Sequence, residues 1–543
     1  MAEVPKKITY VTLAEDEQVH PAYESALKRV FGELGQHHAL HIGGSSVRER
    51  PEFTVYSPID GETLIGSFQS GDSEDTEKAI HSANTAFPEW DQAGWKKRVK
   101  IIRATADHIE SQAFDLAALL TWEVGKTRTE GLAEVFETID LLRYYCNVYE
   151  RSGGYVHPIK TPLTGEQSLS VMKPYGVWAV ISPFNFPIAL AAGMCTGALL
   201  TGNTVVFKPT SEAPLSGIKL YKSFISGGVP DGVLNLVTGP GGPFGKTVVT
   251  HMDIDGIAFT GSVNTGMWLW REFAQGQRYP KPLVIEMGGK DPVIVSGKAD
   301  LTKAVEGVVR SAFGYAGQKC SATSRVYVQE GVYSPFMEQL KQRVGSIIVG
   351  DPRERATFFG PLIDRRAEDI YTSAVRQVIA EGGTIETGGE VLTGTLYRKG
   401  HYVTPAVVTG IPPGHPLHKN ELFVPFLIVA HYSTLQEAVE YANQSDFGLT
   451  AGIFSEDAGE MDYFFSHVRA GVTYANRAGG ATTGAWPGSQ SFTGWNASGS
   501  TGRGSGGPYY LLSFVREQAQ TRVSYYPHHL NIIWQPSYSG DRP

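Results

Sequence analysis

Three cysteines in 543 residues, Cys146, Cys195 and Cys320, are too few and too scattered for a disulfide framework, and no CxxC pair offers structural zinc. No other clustered ligands suggest a metal. A basic excess is missing too. The formal net charge is -8, which excludes a nucleic acid or an anionic membrane as the expected partner. No charge occurs between Lys173 and Lys208, but Pro183, Pro187 and the Gly202-Asn203 turn cut that stretch. Its longest piece, 187–200, falls short of the roughly 20 apolar residues that a spanning helix requires. The opening residues MAEVPKKITY have no apolar core, so no secretory signal is expected. The sequons at Asn443 and Asn496 are therefore read as chance matches, and the cytoplasm is the expected compartment, where a free thiol stays reduced.

What is present is an ordinary globular composition, 41% hydrophobic and 19% charged, in a chain too long for one core. Residues 20–36 read as an amphipathic helix, and apolar spacing from about 74 to 150 predicts more helix. Residues 158–167 form a turn-rich break. From 176 to 290, short β-rich apolar runs alternate with helical segments, which predicts a parallel sheet covered on both faces. One feature of a dinucleotide-binding unit is absent. Where GxGxxG would follow the first strand stands Ser182-Pro183-Phe184-Asn185-Phe186-Pro187. A second α/β alternation runs from about 290 to 475. Beyond Gly479 the sequence is rich in Gly, Ser and Thr, yet Trp486, Phe492 and Trp495 interrupt it, so an ordered functional loop is expected rather than a linker.

Cys146 and Cys195 sit in apolar helical settings and read as buried structural thiols. Cys320 differs. It leaves a helix into the loop Gly317-Gln318-Lys319-Cys320-Ser321, where the neighbouring lysine is expected to favour the thiolate. Glu286 ends an apolar strand just before Met287-Gly288-Gly289-Lys290. Burial there would raise its pKa toward that of a general base, and the two glycines would let backbone approach a ligand. Asn185 is either turn chemistry or an amide aimed at an oxyanion. Lys208 is either a solubilising strand end or a group that holds ribose or phosphate.

Taken together, Asn185 in PFNFP, Lys208 in FKP, Gly261-Ser262 with Gly266, Glu286 in EMGGK, Cys320 in GQKCSA, and Glu421 with Phe423 in NELF resemble the aldehyde dehydrogenase superfamily. The order and spacing of the six motifs fit, and the likeness spans essentially the whole chain. Within the superfamily, Ser321, the loop Thr483-Gly484-Ala485 and Gly506-Gly507-Pro508-Tyr509-Tyr510 resemble the 1-pyrroline-5-carboxylate dehydrogenase group, which oxidises L-glutamate γ-semialdehyde. The stretch 488–494 and the long tail after Thr521 depart from that group's pattern.

The resemblance implies an α/β protein in three parts: a Rossmann-like cofactor domain (1–154 and 172–287), an α/β catalytic domain (288–494), and a small β bridging or oligomerisation domain with a C-terminal tail (155–171 and 495–543). It implies oxidation of an aldehyde to an acid, with Cys320 as nucleophile, Asn185 as oxyanion donor and Glu286 as the base that hydrolyses the thioester. Ser182, Phe184, Lys208, Ser211, Gly241, Gly261, Ser262, Gly266, Glu421 and Phe423 would hold the cofactor. Phe186 and Phe492 would flank the substrate chain, while Ser321, Gly484 and Ala485 would grip its carboxylate. NAD is the expected cofactor, with NADP also accepted because Ser211 stands where many relatives carry a glutamate. The expected partners are a small aldehyde and further copies of the chain. A broad-specificity dehydrogenase with a relaxed carboxylate anchor, and a binding protein on the same fold, stay open beside this reading.

Overall fold

The computed structural model describes residues 19–523 apart from 162, 164, 396 and 480–485. A seven-stranded sheet runs in the order Leu283–Glu286, Ile254–Thr260, Val177–Ile181, Thr204–Lys208, Leu234–Leu236, Leu40–Ile42, Ser45–Val47. The first five are parallel, and the last two add an antiparallel hairpin from the N-terminal region. Every residue of Thr204–Lys208 is buried, as is Val177–Ile181 except for its last residue. Helices cover both faces, so these strands carry unbroken apolar runs instead of alternating ones.

Chain order reverses between Val177–Ile181 and Ile254–Thr260, which opens a crevice at their carboxyl ends. Register makes the crevice useful. Ile181 lies beside both Lys208 and Phe259, and Thr260 lies beside Glu286, so four strands stop along one edge. Only Met287–Lys290 separates Leu283–Glu286 from Asp291–Val295, a strand of the second sheet. That sheet runs Thr384–Thr387, Ala406–Thr409, Phe426–Tyr432, Thr323–Gln329, Asp291–Val295, Thr450–Phe454, Val472–Ala475, all parallel but the first. The carboxyl edge of one sheet is thus tied directly to the amino edge of the other.

Helix signals are local and readable. Asp72 and Asp75 form a reciprocal capping box at the start of Ser73–Gln92, and Gly125, at φ 72°, ends Ala113–Val124. The first helix spans Val19–Glu33, slightly shorter than its apolar periodicity suggests, because Gln36 already begins a strand. Within the turn-rich stretch, Val156–Ile159 and Glu166–Pro174 pair as antiparallel strands, and Val515–Val523 adds a third. The remainder of 495–523 lies elsewhere. Trp495–Asn496 pairs with Phe447–Gly448, and Tyr510, Leu511 and Phe514 are buried in the core beneath the first sheet.

The glycine-rich stretch is ordered where it is described, from 486 on. Trp486 is buried with its indole N–H donating to Asp140, and Phe492 is half-buried. Trp495, by contrast, is 45% exposed, so its presence signals strand pairing at the surface rather than burial. No helix among the described residues is long and apolar enough to cross a membrane.

Candidate active site

A cleft of about 460 Å³ opens where the two sheet edges meet, lined by Phe184, Asn185, Gly261, Ser262, Cys320, Glu421 and Phe423 among others. Its walls come from loops that leave strand ends. Ser182–Pro187 follows the first parallel strand and brings in Phe184 and Asn185. The Gly261-Ser262 turn follows Ile254–Thr260, and Ser262 caps the helix Val263–Gly276 by accepting from the N–H of Thr265. That helix start is suited to an anionic group. Gly266 serves packing: a Cβ there would lie 2.6 Å from Met287 Sδ and 2.9 Å from Ile285 Cγ2, so the helix can sit on the strand only as glycine.

Cys320 stands at the end of a strained approach. The helix Leu301–Phe313 gives way to Tyr315 and Ala316, both with positive φ (50° and 55°), before the chain reaches the thiol. The expectation that Lys319 favours the thiolate fails. Lys319 is buried and its ammonium lies 2.6 Å from Glu130 Oε2, so its charge is engaged by that carboxylate. Burial instead pushes the Cys320 thiol well above the ordinary range, and the carboxylates of Asp291, Glu421 and Glu286 push it further. The other two thiols are buried, as expected. Burial raises Cys146 to about 12 and raises Cys195 as well.

Glu286 is a strand-end carboxylate whose Oε2 is enclosed without a hydrogen-bond partner among the described residues. Burial raises its pKa well above the carboxylate norm, and the Gly494 N–H only partly offsets this. Around it, Ser498–Ser500 lies along the strand: Met287 N–H donates to Ser498 O at 2.9 Å, and Ser500 N–H donates to Ile285 O at 3.0 Å. The Gly-Ser-rich stretch is therefore the wall behind Glu286.

The double glycine after Met287 brings backbone to the cleft, which Gly288 lines, and also makes room for neighbouring protein groups. A Cβ on Gly288 would fall 2.0 Å from Glu421 Oε2, and one on Gly289 would fall 2.4 Å from Cys320 O. The N–H of Gly289 donates to Glu421 Oε1 at 3.1 Å, and burial raises that carboxyl to about 7. Phe423, at φ 61°, meets Phe184 edge-on at 5.9 Å.

Ser182 and Lys208 lie just behind the cleft. The Ser182 hydroxyl is buried without a partner among the described residues, and Lys208, lowered by burial to about 8, donates to Pro209 O at 2.9 Å. Ser211 donates its hydroxyl to Gly239 O at 3.0 Å, while Thr210 and Glu212 line the cleft. Gly241 opens the helix Gly241–Thr250 at the surface, outside the cleft lining. Ser321 is buried next to the thiol, and Phe186 is half-buried under the Lys126 ammonium, 3.7 Å from its ring centre. Gly484 and Ala485 fall outside the described residues.

Sequence reasoning missed a buried ionic cluster behind Asn185 and Cys320. Lys126 pairs with Glu134 at 2.5 Å, Lys319 pairs with Glu130, and Glu137 in the same cluster is raised by burial to about 8. Glu130, Glu134 and Glu137 recur at helical spacing, a pattern ordinarily read as a solvated face. The clue was that Leu132, Val135 and Ile139 crowd the same turns of that helix with apolar side chains.

A serine hydroxyl without a partner among the described residues, a helix start at Ser262, a carboxylate at Glu421 and a cleft of this size suit a dinucleotide next to a partly buried thiol. Known proteins agree. The sequence matches the aldehyde dehydrogenase family over residues 46–519. It is 37% identical to an alpha-ketoglutaric semialdehyde dehydrogenase of Bacillus subtilis (strain 168) over 425 residues, 78% of this chain and 86% of that protein. It is 34% identical to a 1-pyrroline-5-carboxylate dehydrogenase of Geobacillus thermodenitrificans (strain NG80-2) over 503 residues, 92% of this chain and 95% of the relative. A crystal structure of 1-pyrroline-5-carboxylate dehydrogenase from Thermus with bound NAD superposes with a TM-score of 0.88 at 33% identity, covering 94% of this chain and 97% of that one. With thiol, amide and carboxylates gathered where two largely parallel sheets meet, the chain belongs to the aldehyde dehydrogenase family.

Proposed function

We propose that this protein oxidises L-glutamate γ-semialdehyde to L-glutamate with NAD, by way of a Cys320 thioester. The observation that carries the reading is the convergence of Cys320, Asn185 and Glu421 on one cleft. Cys320 Sγ attacks the aldehyde carbon, its proton passing to solvent water, and Glu286 is kept for the water that follows, where its raised pKa makes it a stronger acceptor than an ordinary carboxylate. The Asn185 amide donates to the oxyanion. Bound NAD supplies the hydride acceptor that turns the tetrahedral adduct into a thioester. Glu286 then takes a proton from water, the hydroxide oxygen bonds to the acyl carbon, and the thiol leaves as the acid forms.

Cofactor roles follow the cleft. Glu421 and Lys208 would position the riboses, Ser182 would offer its hydroxyl, and the turn Gly261-Ser262 would receive the pyrophosphate, with Gly266 holding its helix close. Ser211 and Gly241 are assigned to the outer part of the cofactor, and Phe184 and Phe423 to its nicotinamide end. Phe186 and Phe492 would flank the substrate's methylenes, while Ser321, Gly484 and Ala485 hold its α-carboxylate. The antiparallel ribbon of Val156–Ile159, Glu166–Pro174 and Val515–Val523, with Ile159 and Val523 exposed, is suited to bridging copies of the chain. Three free cysteines fit a reducing compartment such as the cytoplasm.

A second reading has its own support in the 37% identity to the alpha-keto relative. The two substrates share an aldehyde, a five-carbon chain and a carboxylate, and differ in an amine against a ketone. NADH formation with each semialdehyde and with propanal separates the readings, using wild type and Ser321→Ala. The expected result is highest kcat/KM for glutamate semialdehyde, with Ser321→Ala costing about 1.5–3 kcal/mol on the carboxylate-bearing substrates and little on propanal. Equal use of propanal would favour the relaxed, broad-specificity enzyme.

A further inference from the structure

Lys126 has no accessible surface, and its ammonium is enclosed by groups from three directions. Glu134 Oε2 lies 2.5 Å away, the Phe186 ring centre 3.7 Å away, and the Tyr315 ring centre 4.9 Å away. Phe186 belongs to the loop that carries Asn185. Tyr315 belongs to the turn that carries Cys320. The same short segment grips each loop a second time. Glu134 Oε1 accepts the N–H groups of Ile188 (2.9 Å) and Ala189 (3.1 Å), the opening of the helix that follows Asn185. On the other side, Tyr315 donates its hydroxyl to Val124 O at 2.7 Å, and Lys319 is held by Glu130.

A buried ammonium is costly, and an apolar side chain of similar length would fill the space without that cost. A cation between two aromatic faces does something an apolar side chain cannot. It attracts both rings by their quadrupoles and fixes their separation. We infer that Lys126 is a positioning residue for the reaction proposed above, setting the Asn185 loop and the Cys320 loop at the spacing the tetrahedral adduct requires. Glu134 completes the device by holding the ammonium and the helix start at once.

The inference rests on Cys320 and Asn185 acting as proposed, so the test separates the two. Wild type is assayed with glutamate semialdehyde and propanal, and absence of NADH formation on both counts against the proposed reaction. Lys126→Met is compared with wild type in kcat, KM and NAD binding, and its crystal structure is solved. The expected result is a kcat lower by about 100-fold, the loss that a misplacement near 1 Å can produce, with NAD affinity within about twofold of wild type. The structure should show Asn185 displaced relative to Cys320. Phe186→Leu should lower kcat in the same way, and the losses in the double variant should not add. If Lys126→Met does not fold, Phe186→Leu and Tyr315→Leu read the same spacing from its two ends. A lower melting temperature with unchanged kcat, or unchanged Asn185–Cys320 geometry, would overturn the inference.

Discussion

Glu421 occupies the space that a side chain on Gly288 would need: a Cβ there would lie 2.0 Å from its Oε2. The motif glycine is therefore a packing partner of the proposed ribose-binding carboxylate. Gly288→Ala should push Glu421 aside and weaken NAD binding about tenfold to a hundredfold, the loss of one hydrogen bond to a charged group. Titration of NAD against protein fluorescence measures it. Unchanged affinity would detach Glu421 from the cofactor.

The thiols should separate by function. Cys320→Ala is expected to abolish turnover, whereas Cys146→Ala and Cys195→Ala should cost about 1 kcal/mol of stability with kcat intact. Because burial and three carboxylates raise the Cys320 thiol, the thiolate fraction at neutral pH is small in the free enzyme. Alkylation by iodoacetamide should be slow at pH 7 and should still be accelerating at pH 9. A plateau near neutrality would mean that a cation faces the sulfur.

For Glu286→Gln, hydrolysis should slow far more than hydride transfer. Rapid mixing should then reveal a burst of NADH near one equivalent, followed by a slow steady state. A steady-state rate equal to wild type would assign the water to another base.

Cofactor choice turns on charges near Lys208. Glu212 lines the cleft and would repel a 2′-phosphate by up to about 4 kcal/mol if the charges came within roughly 4 Å at an effective dielectric near 20. NAD should be preferred, with NADP turnover measurable but lower, and Glu212→Gln should raise kcat/KM for NADP about tenfold, or 1.4 kcal/mol. Ser211→Glu should depress it. Burial lowers Lys208 to about 8, with Glu212 acting in the opposite sense. The lysine is charged below that pH and neutral above it, so the NADP-to-NAD ratio of kcat/KM should fall as pH rises through about 8. A ratio flat from pH 7 to 9 would remove Lys208 from phosphate recognition.

Alternation of apolar runs made the two sheets legible, since Val177–Ile181 and Thr204–Lys208 are buried on both faces and say so in composition. Asn185, Glu286, Cys320 and Glu421 were legible through motif order. What stayed hidden depended on direction and distance. Lys319 is adjacent to Cys320 in sequence but turns toward Glu130, and no spacing rule tells which way a loop side chain points. The acids at 130, 134 and 137 looked like surface until the loops carrying Phe186 and Tyr315 closed over two of their partners, Lys126 and Lys319. Serines 498 and 500 have the composition of a linker, and only pairing with Ile285 and Met287 makes them structure.

Phe514 packs at a tilt against Trp178, ring centres 4.6 Å apart, and its carbonyl accepts from Asn203, whose side chain also receives the N–H groups of Tyr175 and Gly176. During synthesis these partners leave the ribosome more than three hundred residues apart. The side of Trp178 that meets Phe514 therefore gains that contact only once residue 514 has emerged, so packing around an early strand is completed by a late part of the described chain.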